Sequence, residues 1–126
     1  MNKIILFLTL LALTGCAGGG GSESSPPKSI RVGQPTPLTM ELTAWGAGSG
    51  KLSKRYTEIK CHYRTSGNER YLSLPMTQIS ETPDRLKVQC LVPSLHTKAS
   101  DGLEYYFDFK FDGVYSKVSE KPIPFE

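Results

Sequence analysis

The sequence predicts an all-β domain, an antiparallel sandwich of about seven short strands, and three observations carry that reading. Apolar and polar residues alternate with period two in most runs after Leu38, and turn residues separate those runs at short intervals. The same region holds no stretch with the 3.6-residue period of an amphipathic helix. A small closed β-barrel is the alternative, because the same alternation would fill its interior.

In chain order, a first strand is expected around 29–32. Leu38, Met40, Leu42 and Ala44 then alternate with Thr39, Glu41 and Thr43, and this strand ends at Trp45 before the glycine-rich stretch 46–50. Ile59, Cys61 and Tyr63 alternate with Glu58, Lys60, His62 and Arg64. Ser66-Gly67-Asn68 turns the chain into 71–79, where Leu72, Leu74 and Met76 share a face. Pro75 cannot donate to a ladder, which implies an edge position or a bulge there. After the turn Thr82-Pro83-Asp84, Leu86, Val88, Cys90 and Val92 oppose Lys87 and Gln89. The clearest strand follows, with Tyr105, Phe107, Phe109 and Phe111 on one face and Glu104, Tyr106, Asp108, Lys110 and Asp112 on the other. Asp112-Gly113 is a two-residue hairpin signal that returns the chain into 114–118.

Ahead of the domain the composition changes. Met1-Asn2-Lys3 is a short positive start, and 4–13 is a nearly unbroken apolar run of about ten residues, short of the about 20 a membrane-spanning helix needs. It reads as the centre of a secretory signal and ends in Leu13-Thr14-Gly15-Cys16. Small residues before a cysteine in that position resemble the lipobox of bacterial lipoproteins. In that family the signal is cut before the cysteine, which is acylated on its sulfur and on its new amine. The resemblance implies a signal peptide over 1–15, lipidation at Cys16 and a membrane partner reached through a lipid anchor. Each buried CH₂ contributes about 0.8 kcal/mol, so several acyl chains hold a protein where one would not.

In the same family, Ala17 beside the lipid is compatible with transfer to the outer membrane, where the domain would face the periplasm or the cell surface. The glycine run also resembles the tethers of some surface-exposed lipoproteins of Gram-negative bacteria. Residues 17–27, with four glycines followed by Ser22-Glu23-Ser24-Ser25-Pro26-Pro27, offer no large apolar side chain. The stretch 16–28 is therefore expected to be a flexible tether, and 29–126 the sandwich domain.

Within the domain, the order of Tyr63-Arg64, Pro75-Met76, Val92-Pro93 and Leu103-Glu104-Tyr105-Tyr106-Phe107 ahead of Asp112-Gly113 is similar to a bacterial extracytoplasmic immunoglobulin-like module. The resemblance covers residues 60–118 and implies an immunoglobulin-like or fibronectin-III-like sandwich. It brings no catalytic residues with it.

The formal charge of +3 gives no strong electrostatic partner, and without a basic stripe or a stacking motif no nucleic-acid partner is expected. Lys51, Lys54, Arg55, Lys60 and Arg64 cluster mildly, and a basic loop facing anionic head groups is the sharper alternative to a solvated surface. With Cys16 set aside, Cys61 and Cys90 remain, each on the apolar face of its strand. In an oxidising compartment they are expected to form a disulfide across the core, closing a loop of about 30 residues.

No metal or cofactor is expected: His62 and Cys61 are strand neighbours that point to opposite faces, and His96 falls in a loop. No catalytic residues are expected either, because no nucleophile signature is present. Glu104, Asp108 and Asp112 share the face opposite the aromatics, which makes that face the wet one. Exposed aromatics are the remaining sign of a binding surface. Tyr106 ranks first by its outward parity, with Trp45 and Tyr71 next and Tyr56 and Tyr115 as further candidates, although a lone tryptophan in a sandwich is more often in the core.

The leading expectation is a non-catalytic binding or assembly domain that holds another envelope protein. The alternative is an inhibitor or ligand-binding lipoprotein of the lysozyme-inhibitor kind. Ser66-Gly67-Asn68-Glu69-Arg70-Tyr71 resembles the inhibitory loop of that family, with a different spacing to the tyrosine.

Overall fold

A computed structural model describes residues 19–45, 50–65, 68–95 and 102–126. The signal segment, Cys16, the turn residues Ser66 and Gly67, most of the glycine-rich stretch after Trp45, and His96 lie outside the described residues. Eight strands and one helical turn follow in order: β1 (Gly19–Ser24), β2 (Thr36–Trp45), α1 (Leu52–Arg55), β3 (Tyr56–Thr65), β4 (Leu72–Pro75), β5 (Thr77–Glu81), β6 (Arg85–Val92), β7 (Leu103–Phe111) and β8 (Val114–Ser119).

The strands form two antiparallel four-stranded sheets, ordered β1-β2-β6-β5 and β4-β3-β7-β8. This partition of successive strands is that of an immunoglobulin-type sandwich. The sheets remain separate, so the closed-barrel alternative is overturned.

Between the sheets sit the inward members of each alternation: Leu38, Met40 and Leu42 of β2, Leu86, Val88 and Val92 of β6, and Tyr105, Phe107 and Phe109 of β7. Burying one such aliphatic or aromatic side chain stabilises by about 1.5–3 kcal/mol, which is why period two is enforced along these strands. The β7–β8 hairpin closes as its sequence requires, with Asp112 at φ 50° and Gly113 at φ 84°, both left-handed. At the other two-residue turn, Thr82 N–H donates to the Arg85 carbonyl at 2.8 Å.

Two irregularities decide where side chains point. The β3–β7 register shifts by one residue between Thr57 and Lys60, with Glu58 at φ 52°. This bulge lets Tyr56 and Cys61, five residues apart, both face the core, where period two alone would separate them. The stretch 71–79 is also not one strand. Pro75 ends β4 on the edge of one sheet, Met76 N–H donates to the Ile59 carbonyl, and β5 joins the other sheet. The shared face read for Leu72, Leu74 and Met76 is thereby broken, and Leu72 is exposed.

The N-terminal expectations need correction. Residues 29–32 form no ladder strand, and Ile30 makes a single parallel bridge to Phe125 with its side chain buried. Gly19–Ser24, inside the stretch expected to be a flexible tether, is instead strand β1, paired with β2 from Gly19↔Trp45 to Ser24↔Met40. Glycine is depleted in strands because it offers nothing to pack, so composition hides this one. The missing side chains are also what makes it fit. A Cβ on Gly20 would collide with the Tyr56 hydroxyl and come within 2.9 Å of the Phe111 ring, and one on Gly19 would come within 2.9 Å of the Trp45 ring. The folded domain thus includes Gly19, nine residues earlier than Lys28, the end of the expected tether.

Candidate binding face

The outer face of β4-β3-β7-β8 collects the polar members of the same alternation. Register sets Arg64 beside Glu104, His62 between Ser73 and Tyr106, and Asp108 between Lys60 and Lys117. The His62 ring stacks on Tyr106 at 4.5 Å between centroids, and Tyr71 meets Tyr106 edge-on at 5.0 Å. Cations cover the two tyrosines: Arg64 Cζ lies 4.4 Å above Tyr71, and Lys117 Nζ lies 4.3 Å above Tyr106. Each such contact contributes about 0.5–1 kcal/mol at an exposed site, so together they order the side chains in place. Arg64 is fixed further by a 2.8 Å bond from Nε to Glu104. The Tyr106 phenol is pushed up from its ordinary range, first by burial and then by the Asp108 charge, so it remains a neutral hydroxyl.

The face also holds a serine, an imidazole and a carboxylate in sequence. Ser73 Oγ lies 2.7 Å from His62 Nδ1, and His62 Nε2 lies 2.9 Å from Asp108 Oδ1. Both His62 and Asp108 are largely buried, at 14% and 15% side-chain exposure. Nucleophilic catalysis needs the carboxylate to orient the ring through an aligned hydrogen bond. Here Nε2 approaches the carboxylate without hydrogen-bond alignment, and Asp108 is shared with the Tyr115 hydroxyl, which donates to Oδ2 at 3.0 Å. The arrangement clasps β4 to β3 and β7, and it underlies the aromatic stack.

Of the residues singled out by sequence, Tyr106 and Tyr71 come together here, with Tyr71 36% exposed. Tyr115 stands on the same face, bonded to Asp108. Trp45 does not join them: it lies on the outer side of the other sheet, 56% exposed, against the expectation that a lone tryptophan is more often core. Tyr56, a candidate exposed aromatic, is buried at 2% because the bulge turns it inward. There its hydroxyl donates to the Thr43 carbonyl at 2.5 Å, and its ring stacks on Phe111 at 4.4 Å. Glu104, Asp108 and Asp112 are not a free acidic surface, since Arg64, His62 and Arg55 engage them in turn.

The expected disulfide is not formed; Cys61 and Cys90 are both free thiols. They do meet across the core, one from each sheet, and hydrogen-bond to each other. That bond and burial hold Cys61 protonated far above the usual thiol range, while the same bond pulls Cys90 down against its burial. Among the described residues, no three His, Cys, Asp or Glu side chains are grouped to hold a metal ion.

Sequence reasoning missed His62, Ser73, Arg64 and Lys117 as parts of one site. The outward parity of His62, Arg64 and Tyr106 was readable, but their adjacency depends on the β3–β7 register, which the bulge sets. No protein-family model matches the chain, and no curated protein matches it in sequence.

Proposed function

We propose that this chain is a lipid-anchored lipoprotein of the bacterial cell envelope whose sandwich binds another envelope protein, without catalysis, through the outer face of β4-β3-β7-β8. The observation that carries the reading is the stack of Tyr71, Tyr106 and His62 beneath Arg64 and Lys117, on the face turned away from the core. Tyrosine and arginine dominate the centres of protein interfaces. Rings already ordered by mutual stacking lose little rotamer freedom on binding, which leaves more of the contact energy as affinity.

The anchor rests on Leu13-Thr14-Gly15-Cys16 after an apolar run, and the outer-membrane destination on Ala17. Export would also meet oxidants, and two cysteines facing each other across the core support closure of a Cys61–Cys90 disulfide there. The partner is a protein surface with a carboxylate to meet Lys117, since Arg64 is already paired with Glu104; no cofactor, metal or nucleic acid enters the reading.

The test is a photo-crosslinking amino acid at Tyr71 in cells, with Leu91, exposed on the opposite sheet, as the control position. One discrete protein adduct from the Tyr71 position, lost in Cys16→Ala and not formed at Leu91, is the expected result. Equal adducts from both positions would reject the face, and a lysozyme adduct would favour the inhibitor alternative. Incorporation of an alkyne-tagged fatty acid, abolished by Cys16→Ala, checks the anchor separately.

A further inference from the structure

The pairing of β1 changes what the lipid anchor can do. Read as a tether, residues 16–28 would let the domain wander about 19 Å (root mean square) from the bilayer, from the flexible-chain relation for 12 residues. With Gly19 fixed in β1, only three residue steps separate it from Cys16, and a fully extended chain covers about 11 Å in that distance.

Gly19 pairs with Trp45, and a Cβ on Gly19 would lie 2.9 Å from the Trp45 ring. A large, half-exposed indole, the biggest ring in the chain, therefore sits beside the residue held nearest the anchor. At this same end are α1 and the β7–β8 turn, joined by the Arg55–Asp112 pair at 2.7 Å.

We propose that the Trp45 end of the sandwich rests on the bilayer, with the indole seated at head-group level. The inference rests on the lipid-anchor reading above and adds to it a fixed orientation. Tryptophan is enriched at membrane–water interfaces because its ring is apolar while its N–H keeps a partner. The interfacial layer on each side is about 5–8 Å deep, and a leash of about 11 Å keeps the ring within reach of it.

Charge plays the smaller part in the attraction. Arg55, Arg85 and Lys110 at this end each pair with a carboxylate, those of Asp112, Glu41 and Glu58. Among the described residues at this end, only Lys51 and Lys54, exposed at α1 and outside those pairs, are left to meet anionic head groups, so salt weakens the contact less than that of a polybasic patch.

The chain has a single tryptophan, so its fluorescence reports this one site. The acylated protein is reconstituted into phosphatidylethanolamine–phosphatidylglycerol vesicles in which part of the lipid carries bromines high on its acyl chains. The expected result is a blue-shifted emission that brominated lipid quenches and that persists in high salt, with the soluble Cys16→Ser protein as the unquenched reference. A Gly/Ser spacer of about 12 residues inserted after Ala17 restores the long tether without touching β1 and is expected to abolish most of the quenching. Acylated protein that co-sediments with vesicles but emits like the soluble form overturns the docking and leaves the anchor standing. Quenching that survives the spacer overturns the short-leash argument. Mass measurement of the N-terminal peptide shows whether Cys16 is acylated, and an unmodified cysteine overturns both readings.

Discussion

Substituting Gly20 by alanine tests whether the glycine run is a strand or a linker. Gly20 faces inward, and its new Cβ would collide with the Tyr56 hydroxyl and stand 2.9 Å and 3.2 Å from two atoms of the Phe111 ring. Tyr56 cannot simply retreat. Its hydroxyl bonds the Thr43 carbonyl, its ring stacks on Phe111, and Phe109 meets it edge-on at 5.4 Å. Relief requires β1 to lift from β2 or Tyr56 to leave its bond. Overpacking of this kind costs about 1–3 kcal/mol, and loss of a buried neutral hydrogen bond adds about 1 kcal/mol. Alanine recovers about 0.5–1 kcal/mol over glycine in regular backbone, so the net expected loss is about 2 kcal/mol.

Urea unfolding of the soluble Cys16→Ser protein reads that loss as a midpoint lowered by about 1–2 M. In a Tyr56→Phe background the nearest colliding atom is gone, so Gly20→Ala is expected to cost less there, and the difference is the coupling between the two positions. A neutral or stabilising Gly20→Ala would refute the reasoning, because that is how a solvated linker responds, and β1 would then be no part of the folded domain.

Further outcomes follow from the same contacts. Arg55 holds the Asp112 carboxyl below the ordinary carboxylate range through their hydrogen bond, so the pair's contribution is present above the unfolded value of about 3.9 and is lost as pH falls through the lowered folded value. Asp112→Asn, which tolerates the same left-handed turn, is expected to show a smaller fall in thermal midpoint on acidification than the parent protein. Cys61 and Cys90 are expected to resist a thiol reagent in the folded state and, after oxidation, to yield a protein lighter by two hydrogens and more stable by about 3–4 kcal/mol on the loop-closure estimate. Ser73 is expected to stay unlabelled by a fluorophosphonate, because the Asp108 contact does not align His62; labelling lost in His62→Ala would overturn the non-catalytic reading.

The sandwich was legible because its central strands are regular. β2, β6 and β7 alternate without interruption, and Asp112-Gly113 supplies both left-handed residues of its turn, so composition and parity point to one answer. What failed depends on partners remote in sequence. Gly19–Ser24 has no intrinsic strand preference; its place is made by Trp45, Tyr56 and Phe111, which come from three other strands. Tyr56 was misassigned because a single bulge residue reverses the parity of everything before it in β3. The aromatic face was legible only in part: parity gave Tyr106 its direction, but nothing local says that His62 will stack on it, or that Arg64 and Lys117 will cover the tyrosines.

The strand that composition concealed also links the two proposed surfaces. Because β1 runs antiparallel to β2 from Gly19↔Trp45, its N-terminal end lies at the same end of the sandwich as the β7–β8 turn, whose Arg55–Asp112 pair joins α1 to that turn. Along β7 the aromatic stack at Tyr106 lies five residues back from Phe111, a rise of about 17 Å at 3.4 Å per residue. A domain seated on Trp45 would therefore hold Tyr71 and Tyr106 clear of the head groups and facing sideways, available to a neighbour anchored in the same leaflet. A long tether would leave that height and direction free, and each partner would have to select one orientation among many, with a loss of affinity in proportion to the fraction oriented correctly. On the proposed anchoring, the glycines that remove side chains from β1 would shorten the leash and, through it, fix the direction in which the proposed binding face looks.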